Sequence, residues 1–103
     1  MSVIMYDKLV RDRIPEIIAA SGKTCACAYL ADADYLQKLN EKLLEEAREY
    51  LHSGDTEELA DLCEVVRAIL AYKGVAMADF ERLRQQKAQA RGGFEKRVLL
   101  QSV

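Results

Sequence analysis

Five carboxylates in two short stretches are the residues of this chain best placed to do chemistry. They are Glu45, Glu46 and Glu49 in EEAREY, and Glu58 and Asp61 in EELAD. On a helix each residue turns about 100° around the axis, which puts Glu46 within roughly 20° of Leu39 and Glu58 within roughly 40° of Leu62, Val65 and Ile69. Both acids therefore lie in apolar stripes. Glu49 stands at the edge of the first stripe, and Asp61 projects from the same side as Glu58 one turn along. Glu57 and Glu64 point toward solvent, and Glu41 lies on the wet side or close to it. Each helix thus offers an i, i+3 acid pair on or beside the surface it should bury.

An ionised carboxylate is too costly to bury alone and is normally paired, protonated or bound to a metal. Converging carboxylates form the all-oxygen donor set that hard cations such as Mg²⁺ or Mn²⁺ accept, and Mg²⁺ usually binds a few carboxylates together with substrate phosphates. The pattern points to a metal and a phosphorylated substrate. The competing reading is a solvated acidic face answered by lysines and arginines at i, i+4. Matched pairs on two consecutive helices favour the metal. Glu45 stays open between a surface acid and an auxiliary ligand or base for an attacking water. Two basic clusters could answer phosphates: Lys8, Arg11 and Arg13 near the start, and Lys87 with Arg91 just before Gly92 and Gly93. Arginine clamps phosphate oxygens bidentately, lysine acts as a mobile point charge, and glycines let the backbone approach a ligand. Asp7 and Asp12 could equally neutralise the first cluster. The glycine pair is not a phosphate-binding loop of the Walker type.

These residues must be positioned by a small scaffold. A chain of 103 residues is expected to form one domain, residues 1–103, because two halves would each be too small to bury a core. Half of the residues are hydrophobic and 31% charged, without tryptophan, which suits a helical protein whose apolar surface is partly covered by a partner subunit. The net charge of −2 argues against a nucleic-acid polymer as partner. No apolar run approaches the ~20 residues needed to span a membrane, and the N-terminus lacks a secretory pattern, so a cytoplasmic location is expected. Three cysteines and the lone His52 do not have zinc-ligand spacing. They read as free thiols, with Cys63 in the core, and His52 as a helix-terminal dipole partner.

Along the chain, Pro15 in a first turn and Gly22 beyond the end predict a short helix from about Ile14 to Ser21. Thr24 to Ala31, TCACAYLA, alternates like a strand. Asp32 and Asp34 offer N-caps for a long helix ending at Gly54. Asp55 or Thr56 caps the next, which runs to Lys73 and Gly74. Their short linker demands an antiparallel hairpin. A further helix spans about Met77 to Ala90, and FEKRVLL after it could pair with TCACAYLA. The expected fold is mainly all-α: an antiparallel helical hairpin with flanking helices in an oligomeric four-helix-type bundle, carrying a small two-stranded β appendage.

EEAREY and EELAD together resemble the EExxE…ExxD signature of the all-α NTP pyrophosphatase superfamily, the MazG-like enzymes. YDKLVRDRIPEII and KAQARGGFEKRVLL resemble the ends of a small single-domain subgroup similar to phosphoribosyl-ATP pyrophosphohydrolase. The ordered set covers nearly the whole chain, from Tyr6 to Leu100. The resemblance implies a Mg²⁺-dependent hydrolase, with Mn²⁺ as a substitute, that cleaves nucleoside triphosphates between the α and β phosphates to monophosphate and pyrophosphate. It implies that Glu46, Glu49, Glu58 and Asp61 hold the metal and that Glu45 helps to position or activate water. Lys8, Arg11, Arg13, Lys87 and Arg91 become candidate substrate ligands. It also implies a homodimer or homotetramer and a role in nucleotide house-cleaning. The alternatives are phosphoribosyl-ATP pyrophosphohydrolase activity, or a non-catalytic helical interaction module.

Overall fold

The computed structural model describes residues 7–103; Tyr6, which opens the first segment of the resemblance, lies outside them. Four helices follow one another: α1 (Ile14–Ala20), α2 (Asp32–Ser53), α3 (Thr56–Lys73) and α4 (Met77–Arg91). The fold is all-α, and no strand occurs among the described residues. The chain divides into two compact units, the first reaching Ile69 and the second running from Leu70 to Val103.

In the first unit, α1 begins with Pro15 in its first turn, where a missing N–H costs nothing. It closes on Ser21, whose hydroxyl donates to the Ile18 carbonyl at 2.6 Å. Helix α2 ends where Gly54 adopts φ 70° and its N–H reaches the Tyr50 carbonyl at 2.7 Å. That left-handed residue lets the chain reverse within Gly54 and Asp55, and α3 returns along α2. Antiparallel pairing follows because Glu46, before the turn, meets Glu58 and Asp61, after it. The buried residues of α2 are Leu39 and Glu46, which occupy the stripe the sequence spacing marks out.

Asp32 and Asp34 do not cap α2. Ala31 occupies the cap position with extended backbone and no side-chain cap bond, so both aspartates fall inside the first turn. There their charge favours the positive end of the helix dipole instead. Cys63 is exposed rather than core, because its place on α3 lies off the face that buries Val65.

The expected β appendage does not form. Residues 24–31 are exposed throughout and Tyr29 is 99% exposed, so the alternation there has no second surface to pack on. Two short strands alone are marginal in water. In the second unit FEKRVLL is interrupted by a turn in which the Arg97 N–H meets the Phe94 carbonyl at 3.0 Å and Arg97 takes φ 57°. That turn destroys the period-two register a strand requires.

Within this second unit α4 has no buried residue and ends at Arg91, one residue beyond the expected end, against Gly92 at φ 83°. The unit is basic, with seven lysines and arginines against three acids, whereas the first unit is acidic, with fourteen acids against eight.

Candidate metal centre

Glu46 comes from the middle of α2, and Glu58 and Asp61 come from the first two turns of α3. One carboxylate oxygen from each lies within 4.8 Å of the others. The ligands of one octahedral Mg²⁺, bound at about 2.0–2.1 Å, sit about 3–4 Å apart. Modest side-chain rotation would close the group to that size. Glu46 is 6% exposed, and its Oε2 is buried without a hydrogen-bond partner. An orphaned, buried carboxylate oxygen is rare in a folded protein, because it loses water and gains nothing in return. The residue that carries it belongs to a set of donors that are all oxygen, which is the chemistry of a hard divalent cation.

The charges around the centre explain its titration. Burial, and after it the neighbouring Glu49 carboxyl, push Glu46 above the ordinary carboxylate range, and Lys42 offsets part of this. Lys42 Nζ stands 3.4 Å from both Glu46 Oε1 and Glu45 Oε2. Glu45 behaves oppositely. Burial works against its charge, but the hydrogen bond from Lys8 and the charges of Lys42 and Lys8 outweigh it, so its carboxyl falls below the usual range.

Of the acids expected to converge, Glu46, Glu58 and Asp61 do so. Glu49 is exposed beside Glu46, outside the cluster of three, and Glu45 adjoins it through Lys42. Among the expected cations, Lys8 donates to Glu45 Oε1 at 3.0 Å and Arg11 donates to Asp61 Oδ1 at 2.7 Å. The segment before α1 thus hands one cation to α2 and another to α3. Arg13 instead pairs locally with Glu16 at 3.4 Å. Lys87 and Arg91 belong to the second unit, where they line an open concavity. Glu57 and Glu64 are exposed, as their wheel positions require, and Glu41 pairs with Lys38 at 3.2 Å.

Sequence reading passed over Lys42. Its spacing to Glu46, i to i+4, was a visible signal, since residues four apart on a helix are neighbours. A count of acids without the cation one turn earlier misses it.

An uncharacterized protein of Mycolicibacterium smegmatis is 49% identical to this chain over 53 residues, a stretch covering 52% of the chain and 53% of the relative. The chain therefore spans about half the length of that relative. No family model matches the sequence, and no solved structure matches it.

Proposed function

We propose that this chain is a Mg²⁺-dependent nucleoside triphosphate pyrophosphohydrolase, which converts NTP or dNTP to the monophosphate and pyrophosphate. The observation that carries the reading is the buried, unpartnered Oε2 of Glu46 beside the carboxylates of Glu58 and Asp61. The ordered segments EEAREY, EELAD, YDKLVRDRIPEII and KAQARGGFEKRVLL support the choice of reaction.

In this reading Glu46, Glu58 and Asp61 would hold the ion, with Glu49, next to Glu46, as a fourth candidate ligand. When bound, Mg²⁺ supplies Lewis-acid polarisation of phosphoryl oxygens and neutralises charge on the leaving group. Glu45, kept ionised by Lys8 and Lys42, accepts the proton of the water that attacks the α-phosphorus. The bond from that phosphorus to the bridging oxygen breaks, and its electron pair leaves with pyrophosphate. Lys8 and Arg11 exchange their carboxylate partners for phosphate oxygens. Loss of Lys8 from Glu45 makes that carboxylate a stronger base when substrate arrives. The enzyme works as a homo-oligomer in the cytoplasm. No helix among the described residues is long and apolar enough to cross a membrane.

A nucleotide screen with Mg²⁺, following monophosphate and pyrophosphate separately, tests the reaction, and strong preference for phosphoribosyl-ATP would replace the house-cleaning role. Glu58→Gln is expected to abolish nearly all turnover while the helical circular dichroism survives. Full activity in that variant would remove Glu58 from the site.

One observation favours a second reading. Arg11–Asp61 and Lys8–Glu45 pairs already answer two of the acids, as a non-catalytic interaction module would require. Calorimetric titration with Mg²⁺ and Mn²⁺ separates the two, since the module binds neither ion.

A further inference from the structure

Chemistry at the acidic centre leaves Cys25 and Cys27 unused. They stand two residues apart between α1 and α2, where residues 23–31 form no helix or strand and residues 24–31 are all exposed. In extended backbone, side chains at i and i+2 leave the chain on the same side. The two sulfurs accordingly meet: Cys25 Sγ lies 3.8 Å from Cys27 Sγ, within thiol hydrogen-bonding distance. Cys63, exposed on α3, has no sulfur contact among the described residues.

Two thiols so placed can take a soft metal ion or join as a disulfide, and their surroundings choose between these. A structural Zn²⁺ site needs four ligands. Among the described residues the one group of three or more metal-capable side chains is Glu46, Glu58 and Asp61, so the cysteine pair has no third ligand near it. A disulfide needs only the pair. Its sulfurs stand about 2.05 Å apart, and the approach from 3.8 Å asks only for movement of an irregular segment whose side chains are all exposed. The Cys25 thiol is pushed above its ordinary value of 9.0, chiefly by its hydrogen bond with Cys27. It therefore keeps its proton at neutral pH, and the pair reacts faster as pH rises.

We propose that Cys25 and Cys27 form a thiol–disulfide exchange site whose reactant is a small-molecule disulfide. The thiolate of one cysteine attacks a sulfur of the disulfide RS–SR, its S–S bond breaks, and RS⁻ leaves with the electron pair. The thiolate of the other cysteine then attacks the protein sulfur of the mixed disulfide, which closes the Cys25–Cys27 bond and expels the second RS⁻. The leaving thiolates take up the protons that the cysteines release, so the pair is oxidised and RS–SR is reduced to two RSH. An exposed disulfide that closes so small a loop is readily reduced again by excess thiol, which makes the modification reversible. The site is independent of the proposed hydrolysis and needs no divalent ion.

Treating the full, reduced chain with oxidised glutathione in EDTA tests it, with mass spectrometry of acid-quenched, alkylated and trypsin-cleaved samples. Residues 24–38 form one tryptic peptide that holds both cysteines, and residues 49–67 form another that holds Cys63. The first peptide is expected to lose two hydrogens and resist alkylation, while the second gains a single glutathione. Excess dithiothreitol should restore both. Cys25→Ser and Cys27→Ser, each at an exposed position, should leave the remaining thiol of the first peptide joined to glutathione. Closure should be roughly tenfold faster at pH 8 than at pH 7, following the thiolate fraction. It should be several-fold slower in urea, where the sulfurs are no longer held side by side. Glutathione on both Cys25 and Cys27 without closure overturns the site, as does a disulfide to Cys63 or between chains. Equal closure rates with and without urea would overturn it too.

Discussion

Ionising Glu46 carries a cost, because one of its oxygens is buried with no donor and Glu49 stands beside it. Its folded carboxyl titrates above the ordinary value of 4.5, so the folded state keeps a proton that the unfolded chain releases. Stability therefore falls as pH rises from that ordinary value through the raised one. Glu46→Gln removes this loss. Urea unfolding should find the variant more stable than the parent near pH 7, by on the order of 1 kcal/mol, with no advantage left at about pH 4 and below. Saturating Mg²⁺ should stabilise the parent and leave the variant unmoved. Arg11 gives a second test at this scale. Its pair with Asp61 is exposed, and such pairs contribute about 0.2–1 kcal/mol. Arg11→Gln frees Asp61 for a cation, so calorimetry should show Mn²⁺ binding tightened a few-fold while the KM for nucleotide rises. Unchanged Mn²⁺ affinity would separate Arg11 from the centre.

Among the elements, the turn between α2 and α3 does most to align the acids. Gly54 sits at φ 70° with open space around it, so any substitution is opposed by backbone conformation alone. Gly54→Ala is expected to destabilise by about 1–2 kcal/mol, and Gly54→Asn by less, in equilibrium unfolding. Because this turn fixes which residues of α3 lie opposite Glu46, Gly54→Ala should also weaken metal binding. Helix boundaries were largely legible in the sequence: Pro15 at the start of α1, glycines closing α2 and α4, and apolar residues at helical spacing between them. The caps were less so. Asp32 and Asp34 have the right side chains for capping, but the helix begins one residue earlier than Asp32 needs and three earlier than Asp34 needs, and capping depends on a backbone angle that composition does not encode. TCACAYLA and FEKRVLL show the same limit, since alternation permits a strand but only a partner ladder makes one.

For the whole molecule, Leu39, Val65 and Leu70 are the only buried apolar side chains among the described residues, although half of the chain is hydrophobic. Leu44, Leu51 and Leu83 remain more than half exposed. A self-associating chain would bury such residues against a copy of itself, and its melting temperature would rise with protein concentration. Sedimentation of the parent should show a dimer or larger species, and Leu51→Asp, at a residue 80% exposed in the single chain, should shift it toward monomer. A parent that sediments as a monomer at all concentrations would end the oligomer reading.

The sequence by itself determined the helices, the hairpin, the burial of Glu46 and the exposure of Glu57 and Glu64, because each depends on spacing within a few turns, whereas Glu58 and Asp61 are only half-buried. Helical periodicity placed Glu46 beside Leu39 in the buried stripe of α2 and sent Glu57 and Glu64 to solvent. Only the tertiary structure decided that Glu46, Glu58 and Asp61 meet while Glu49 stays outside them. It also decided that Lys8 and Arg11 reach acids 37 and 50 residues away, and that Arg13 does not. Those contacts depend on the path of the chain before α1 and on the pairing of α2 with α3. No local pattern records that path, since residues so far apart in sequence meet only after the intervening elements have packed.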